Sequence, residues 1–350
     1  MFVAPAAPPL SALPIADEPP ATPDPFAPYA IALLGHGDPG HDGGLLTDSI
    51  MIVLVQPRAQ RIHLVSLPRD IWVELPLIET EQGTQTKGYK INAAYAIGKD
   101  LRQYPQRPEA FSGDGGGGAL AQYAIEQVTG ISVKYFLAVN FSAFEQTVDQ
   151  LGGLSVRVPR GFIDEFYPIS EEIENDCGLS EEDIAAITAT TSGEQLMQAF
   201  PCRYERLVFD AGTQLLDGAT ALKYVRSRHS PQSGGDFNRA ARQQAVVEAL
   251  KERVLSLGFV PKIPGLLLTL SRNIETNIPP QQIDEWASMA DELAAYPIDR
   301  TVLSTENVLK HGRSSDRQFI LVPQDASNEE FPWLGVHEWL QAEIESQIES

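Results

Sequence analysis

Residues 49–57, SIMIVLVQP, and residues 61–68, RIHLVSLP, decide the fold. Both are rich in Ile and Val, which suit strands, and the short QPRAQ between them suits a hairpin or tight turn. Neither alternates cleanly between apolar and polar side chains. A strand that is apolar on both faces belongs in a sheet covered on both faces. Upstream, YAIALLG at 29–35 has the same character. Downstream, INAAYAIGKD at 91–100 reads as helix, and RPEAFSGDGGGG at 107–118 as loop. The next segment, ALAQYAIEQVTG, spaces Leu120, Tyr123, Ala124 and Val128 as a helix does, with Gly130 as a stop signal. VKYFLAVN (strand), FSAFEQTVDQLGG (helix) and LSVRVP (strand) follow. Asp217 is a candidate N-cap for DGATALKYVRSR, and Asp236 or Asn238 for the longer helix that ends in ALKERVLSLG. The last hundred residues continue the alternation, with QQIDEWASMADELAA helical and RQFILVP a short apolar run. Helices and strands interleave with no internal repeat, which is the pattern of a layered α/β domain.

Charge narrows the function. The 350 residues hold 47 Asp and Glu against 26 Lys and Arg, a formal net charge of −21, so polyanions such as nucleic acids are repelled except at a local basic patch. One such patch exists. KYVRSRHSPQSGGDFNRAARQQ, residues 223–244, carries Lys223, Arg226, Arg228, Arg239 and Arg242 with Asp236 as its only acid. Arg239, Arg242 and Gln243 share a helix face, and Val247, Leu250 and Val254 form a separate apolar stripe that can dock the helix. A loop containing Gly234 and Gly235 can fold the two segments together and bring four guanidiniums around one cavity. Guanidinium forks match phosphate oxygens, and several together suit a diphosphate. The competing reading is a solvated helix whose arginines pair with surface carboxylates.

Other constellations are weaker alone. SLPRD places Arg69 and Asp70 where a strand ends, either as a phosphate contact with an acid/base group or metal ligand, or as a surface ion pair. GHGDPGHDGGLLTD crowds Asp38, Asp42 and Asp48 with His36 and His41 into a Gly-rich loop, which suits a hard divalent cation or is simply an unliganded polar loop. Its His spacing fits no strong zinc pattern. GDGGGG matches G-x-G-x-x-G literally, but no strand leads into it and no Lys-Ser/Thr follows; no G-x-S-x-G elbow exists. Lys90 is one further cation. Cys177 and Cys202 are either two free thiols or a disulfide across a long surface loop. Residues 163–206 are acidic and less regular, and read as a solvated insertion. Residues 1–28 read as a flexible Pro/Ala-rich linker without the basic start of a signal peptide, and no stretch is long and apolar enough to span a membrane.

Taken in order, TDSIMIV, VSLPRD, KINAAYA, FSAFEQTVDQLGGLSVRV, LLDGATALKYVRSR and GDFNRAARQQ resemble the LytR-CpsA-Psr family of cell-wall glycopolymer ligases, over about residues 33–255. The resemblance implies a three-layer α/β/α sandwich with a central mixed sheet and a hydrophobic lipid-binding groove. It makes residues 29–345 one catalytic domain, with a core at 33–255, the insertion at 163–206 and a C-terminal part at 256–345. It implies transfer of a glycopolymer phosphate from a polyprenyl-pyrophosphate carrier to a peptidoglycan sugar hydroxyl, with Mg2+ or another divalent cation such as Mn2+. The partners are then the lipid-linked glycan, the peptidoglycan acceptor and, through the lipid, the membrane surface, but no nucleic acid. By motif position Asp38 and Asp48 would hold the metal. Arg69, Lys90, Arg226, Arg228, Arg239, Arg242 and Gln243 would surround the pyrophosphate. Arg69, Asp70, Asp236 and Arg239 would carry catalysis, with either Asp70 or Asp236 taking the proton. The family often has Arg just before TD, where this chain has Leu46 and Thr47, and GHGD puts Gly37 where the first acid is expected. An extracytoplasmic, envelope-associated enzyme is implied, with a membrane anchor that this sequence does not contain. The rival expectations are a polyprenyl-pyrophosphate phosphohydrolase and a non-catalytic binder of lipid-linked glycans.

Overall fold

The computed structural model describes residues 24, 26–38, 44–256, 273–328 and 330–348. Most of the expected linker, His41 and Asp42, and the stretch 257–272 lie outside the described residues. Strands β1 (Tyr29–His36), β2 (Thr47–Gln56) and β3 (Arg61–Leu67) come first, then the hairpin β4 (Trp72–Thr80) and β5 (Gly83–Lys90). Helices α1 (Ala93–Lys99) and α2 (Gly116–Thr129) lead to β6 (Tyr135–Asn140), α3 (Phe141–Gln150) and β7 (Leu154–Val158). Strands β8 (Phe162–Pro168) and β9 (Tyr204–Phe209) bracket α4 (Glu181–Thr190) and α5 (Glu194–Ala199). Next are β10 (Gly212–Leu216), α6 (Gly218–Arg226) and α7 (Asp236–Ser256). The C-terminal part holds β11 (Ile274–Thr276), α8 (Pro280–Ser288), α9 (Ala290–Ala295), β12 (Ile298–Val302), the hairpin β13 (Leu309–Arg313) and β14 (Phe319–Pro323), and α10 (Leu334–Ile348).

The central sheet is mixed, in the order β11-β6-β1-β2-β3-β12. β1 runs antiparallel to β2 and β2 to β3, while β6 is parallel to β1 and β12 to β3. The carboxyl ends of β1, β3, β6 and β12 therefore share one edge of the sheet, the usual place for a site in layered α/β folds. The C-terminal strands β11 and β12 close the two edges. One face is a dense apolar core: Ala30, Ala32 and Leu34 of β1 and Ile50, Ile52 and Leu54 of β2 pack against α1, α2, α10 and β4. On the other face α3, α6 and α7 form their own cluster with β7, β8 and β9. A smaller cluster around Met51, Leu64 and Tyr296 joins that layer to the sheet.

Two expectations change. The glycines at 116–118 open α2 instead of belonging to the preceding loop, and all three are buried. Helix propensity argues against glycine there, but packing overrides it. A Cβ on Gly116 would lie 2.9 Å from Gly98 O, and one on Gly118 would lie 2.2 Å from the Phe136 ring. The acidic insertion is also less separate than its composition suggests, because its first residues form β8, paired with β9. Beyond β8 it is a decoration: α4 and α5 bury no residue, and a Cys177–Cys202 disulfide with Cα atoms 5.6 Å apart ties the segment together.

His63 of β3 offers a pH test of the packing. Its side chain is 1 % exposed, with Nδ1 3.2 Å from Gln347 Oε1 and 3.8 Å from Asp299, and with Nε2 lacking a hydrogen-bond partner among the described residues. Burial pulls its pKa below 6.5, a pull that Gln347 and Asp299 oppose and Arg61 reinforces. The unfolded chain therefore binds this proton at higher pH than the folded one. The contribution is complete above 6.5 and is lost as pH falls toward the folded pKa. Denaturation midpoints at pH 7, 6 and 5 should drop more steeply for the native chain than for His63→Gln. Equal slopes would remove His63 as a source of acid sensitivity.

Candidate active site

Alternation along the strands builds the cavity. In β1 every second residue from Ala30 is buried in the dense core, so Leu33 and Gly35 face the opposite side. Leu137 and Val139 of β6 and Met51 of β2 join them, and Phe144, Val225, Val246 and Leu250 close over them from α3, α6 and α7. The result is an apolar cavity of about 350 Å³ between sheet and helices. The apolar stripe expected on α7 is one of its walls.

Charged groups gather at one end. Arg239, 8 % exposed at its side chain, lies 2.9 Å from Asp236 Oδ1 and donates from Nη2 to the Asp48 carbonyl at 3.3 Å. Arg228 Nη2 lies 2.9 Å from the same Asp236 oxygen. Neither contact to Oδ1 has hydrogen-bond alignment, so that buried oxygen is gripped by charge alone. Arg69 donates to Asp48 Oδ1 at 2.5 Å, with its Nε 3.6 Å from Asp70 Oδ2 and buried without a hydrogen-bond partner among the described residues. Lys90 Nζ donates to Asp70 Oδ1 at 2.6 Å. Arg69, Lys90, Arg228 and Arg239 thus face Asp48, Asp70 and Asp236, leaving a surplus positive charge. Burial, and then the nearness of Arg228 and Arg69, pulls Arg239 down to about 10 against the pull of Asp236. Burial also acts against Arg69, but Asp48, Asp70 and Asp236 outweigh it and raise its pKa. An incoming anion relieves this crowding.

Arg226 adds a further cation on the cavity wall. Its guanidinium lies 4.2 Å from the centre of the Phe141 ring and donates to Tyr167 Oη at 3.2 Å. No carboxylate lies within ion-pairing distance of it among the described residues. Gln243 also lines the cavity, with Nε2 3.4 Å from Val225 O.

Arg242 is different. It donates to the carbonyls of Tyr224 at 3.0 Å, Ser233 at 2.7 Å and Ser227, and stacks 4.9 Å from the Phe162 ring. Its donors are spent on fastening the 227–235 loop from beneath, so it does not face the cavity. Lys223 pairs with Glu205 at 2.7 Å and stays outside the cluster. The helix cap also departs from expectation. Gly235, with φ +84°, accepts the first helical hydrogen bond from Arg239 N, Asp236 is the first helical residue, and Asn238 donates to Gly234 O.

Sequence reasoning missed Asp164. This carboxylate on β8 is fully buried, and its Oδ2 accepts from Ser227 Oγ at 2.6 Å, Arg228 N at 3.0 Å and His229 N at 3.1 Å. It fixes the loop that aims Arg228. Its only sequence cue was an acid on an apolar strand. Gln244 was missed too: its buried amide donates to Leu64 O, Ser66 Oγ and Thr301 O, anchoring α7 to β3 and β12.

A divalent cation was expected at Asp38 and Asp48. Asp38 follows β1 and accepts from Ser142 N at 3.2 Å at the start of α3, while Asp48 gives one oxygen to Arg69. No group of three or more His, Cys, Asp or Glu gathers among the described residues, so there is no all-protein cage. Magnesium on phosphate typically needs only one or two carboxylates. Negative charge does collect here: burial, and then Asp149 and Asp38, raise the pKa of Glu145. Asp38 and Asp48, the second already paired with Arg69, are the two carboxylates available to such a cation.

A family model described as the LytR_cpsA_psr family matches residues 18–327. The chain is 27% identical over 254 residues to "Polyisoprenyl-teichoic acid--peptidoglycan teichoic acid transferase TagU" of Enterococcus faecalis, covering 72% of this chain and 62% of that protein. It is 28% identical over 255 residues to "Regulatory protein MsrR" of Staphylococcus aureus, covering 71% and 56%. The chain thus spans little more than half the length of these curated relatives. Among solved structures, Bacillus subtilis TagV superposes with a TM-score of 0.55 at 24% identity, covering 91% of this chain and 98% of that one. TagT bound to LIIa-WTA superposes with a TM-score of 0.54 at 20% identity, covering 92% of each.

Proposed function

The chain belongs to the LytR_cpsA_psr family, and from that premise we propose that it transfers a glycopolymer phosphate from a polyprenyl-pyrophosphate carrier to a sugar hydroxyl of peptidoglycan. One observation carries the reading: Arg226, Arg228 and Arg239 line a cavity whose walls are otherwise largely apolar, and Arg69 joins them through its ion pair with Asp48. A prenyl chain fits the apolar part and a pyrophosphate the guanidinium cluster. Relatives named as teichoic acid transferases supply the class of donor and acceptor.

In this reading the prenyl chain lies among Leu33, Leu137, Phe144 and Leu250, with the pyrophosphate held by Arg69, Arg228, Arg239 and Arg226. The acceptor hydroxyl attacks the glycan-side phosphorus. A new P–O bond forms, the bond to the bridging oxygen breaks, and its electron pair leaves with polyprenyl phosphate. The hydroxyl proton passes to Asp70 or Asp236, each of which faces two cations: Lys90 and Arg69 for Asp70, Arg228 and Arg239 for Asp236. Catalysis is positioning plus charge neutralisation, as phosphoryl transfer requires. Asp38 and Asp48 would hold Mg2+, which when bound supplies further neutralisation of phosphate charge. The disulfide supports work in an oxidising, extracytoplasmic compartment. No helix among the described residues is long and apolar enough to cross a membrane.

The test is to incubate the protein with a polyprenyl-pyrophosphate saccharide and glycan oligomers, with and without Mg2+. Joined glycan is the expected product. Free sugar phosphate would make the protein a hydrolase, and unchanged but bound substrate would make it a binder.

A further inference from the structure

A second cleft opens beside the charged cluster. Its volume is about 1050 Å³, and it lies between the β4–β5 hairpin and the turn of β13–β14. Arg69, Asp70 and Lys90 form its inner wall. The Asp48–Arg69 ion pair joins the two spaces, with Asp48 lining the apolar cavity and Arg69 lining the cleft.

The hairpin presents a flat aromatic surface there. Trp72 and Lys90 are paired opposite each other on β4 and β5, and Glu74 opposite Gly88, so all four share one face. The alternate residues Val73 and Leu75 are buried in the core. Gly88 has no side chain, and the Trp72 indole lies flat across it: a Cβ at that position would be 2.4 Å from Trp72 Cζ2. Trp72 is half-buried, beside the exposed Glu74. From the facing wall the turn offers Asp316 and Gln318, both exposed. An aromatic plate flanked by hydrogen-bonding groups matches a sugar ring, which has an apolar face and a polar edge.

Chemistry selects which sugar. In an in-line displacement the nucleophile approaches opposite the leaving oxygen. If polyprenyl phosphate departs toward the apolar cavity, the attacking hydroxyl arrives from beyond Arg69, where this cleft lies. We propose that the cleft is the acceptor subsite, holding the peptidoglycan glycan strand with one sugar on Trp72 and its polar edge on Glu74. This rests on the phosphotransfer reading for the identity of the strand, but the presence of a saccharide site is testable alone.

The probe is an uncharged tetramer of β-1,4-linked N-acetylglucosamine, titrated calorimetrically into the full chain. The native protein should bind it, and Trp72→Ala and Glu74→Ala should each weaken binding about tenfold. Glu74→Ala guards against misfolding of the tryptophan variant, because its side chain is exposed. In the transfer assay both variants should raise KM for the acceptor about tenfold, while KM for the lipid donor and kcat at saturating acceptor hold. Failure of the native protein to bind the tetramer, or unchanged affinity in both variants, overturns the proposal. If the tetramer binds through Trp72 and Glu74 but no glycan is ever joined, the saccharide subsite stands and the phosphotransfer reading falls.

Discussion

Arg239→Ala is expected to lower kcat for glycan transfer by about 10²–10³-fold, the usual cost of deleting one preorganised donor to transition-state charge. The reason is its placement. Arg239 is held by Asp236 and the Asp48 carbonyl, close enough to Arg228 and Arg69 to feel their charge, and it is almost fully buried. A buried fork needs no reorganisation as charge builds on the phosphoryl oxygens. Arg239→Lys should recover only part of the rate, because a single ammonium cannot reproduce the bidentate geometry. Arg242→Ala, on the same helix face, should do the reverse. Its donors serve the carbonyls of Tyr224, Ser227 and Ser233, so thermal stability should fall and the rate of the folded fraction should hold. Exposed Arg102, 95% accessible at its side chain, supplies the neutral control. A kcat for Arg239→Ala within about threefold of the native value would remove this residue from the mechanism.

That contrast marks where sequence reading stops. Arg239 and Arg242 are three positions apart, a rotation of about 60° net on a helix, which is close enough to predict a shared face. It is also wide enough for one side chain to enter the cavity and the other to pass under a loop. The deciding fact is the path of residues 227–235, and no local periodicity encodes it. By contrast, the strands from Tyr29 to Leu67 were legible because their apolar character comes from burial on two sides. The cap at Asp217 was legible because a cap is local: its carboxylate accepts from Thr220 N at 2.8 Å. The glycine run at 116–118 misled because propensity is local, while the need for close approach to Gly98 and Phe136 is tertiary. The ordered motifs pointed to the guanidinium cluster and the cavity. They gave no hint of the cleft beside Trp72, whose two walls, β4–β5 and β13–β14, lie more than two hundred residues apart along the chain.

Asp164→Ala should be the most damaging single change to stability near the site, on the order of 3–5 kcal/mol. Asp164 and Ser227 are 63 residues apart, and the carboxylate is fully buried. Its Oδ2 collects three donors from consecutive residues, Ser227 Oγ, Arg228 N and His229 N, while Oδ1 accepts from Phe166 N at 3.0 Å. Truncation strands all four donors, with the Ser227 hydroxyl fully buried and the three backbone N–H groups partly so. Asp164→Asn keeps the volume and one acceptor oxygen, so its cost should be about half. Urea denaturation should show a lower midpoint with an unchanged slope if the change is confined to native-state contacts. Activity is the more telling readout. Arg228 lies on the strapped segment, so below their melting temperatures both variants should bind the lipid donor more weakly while keeping affinity for the glycan tetramer. A loss of less than about 1 kcal/mol in the alanine variant, or donor affinity unchanged in both, would mean that the 227–235 loop holds its shape without this carboxylate. Arg228 would then owe its aim to Asp236 alone.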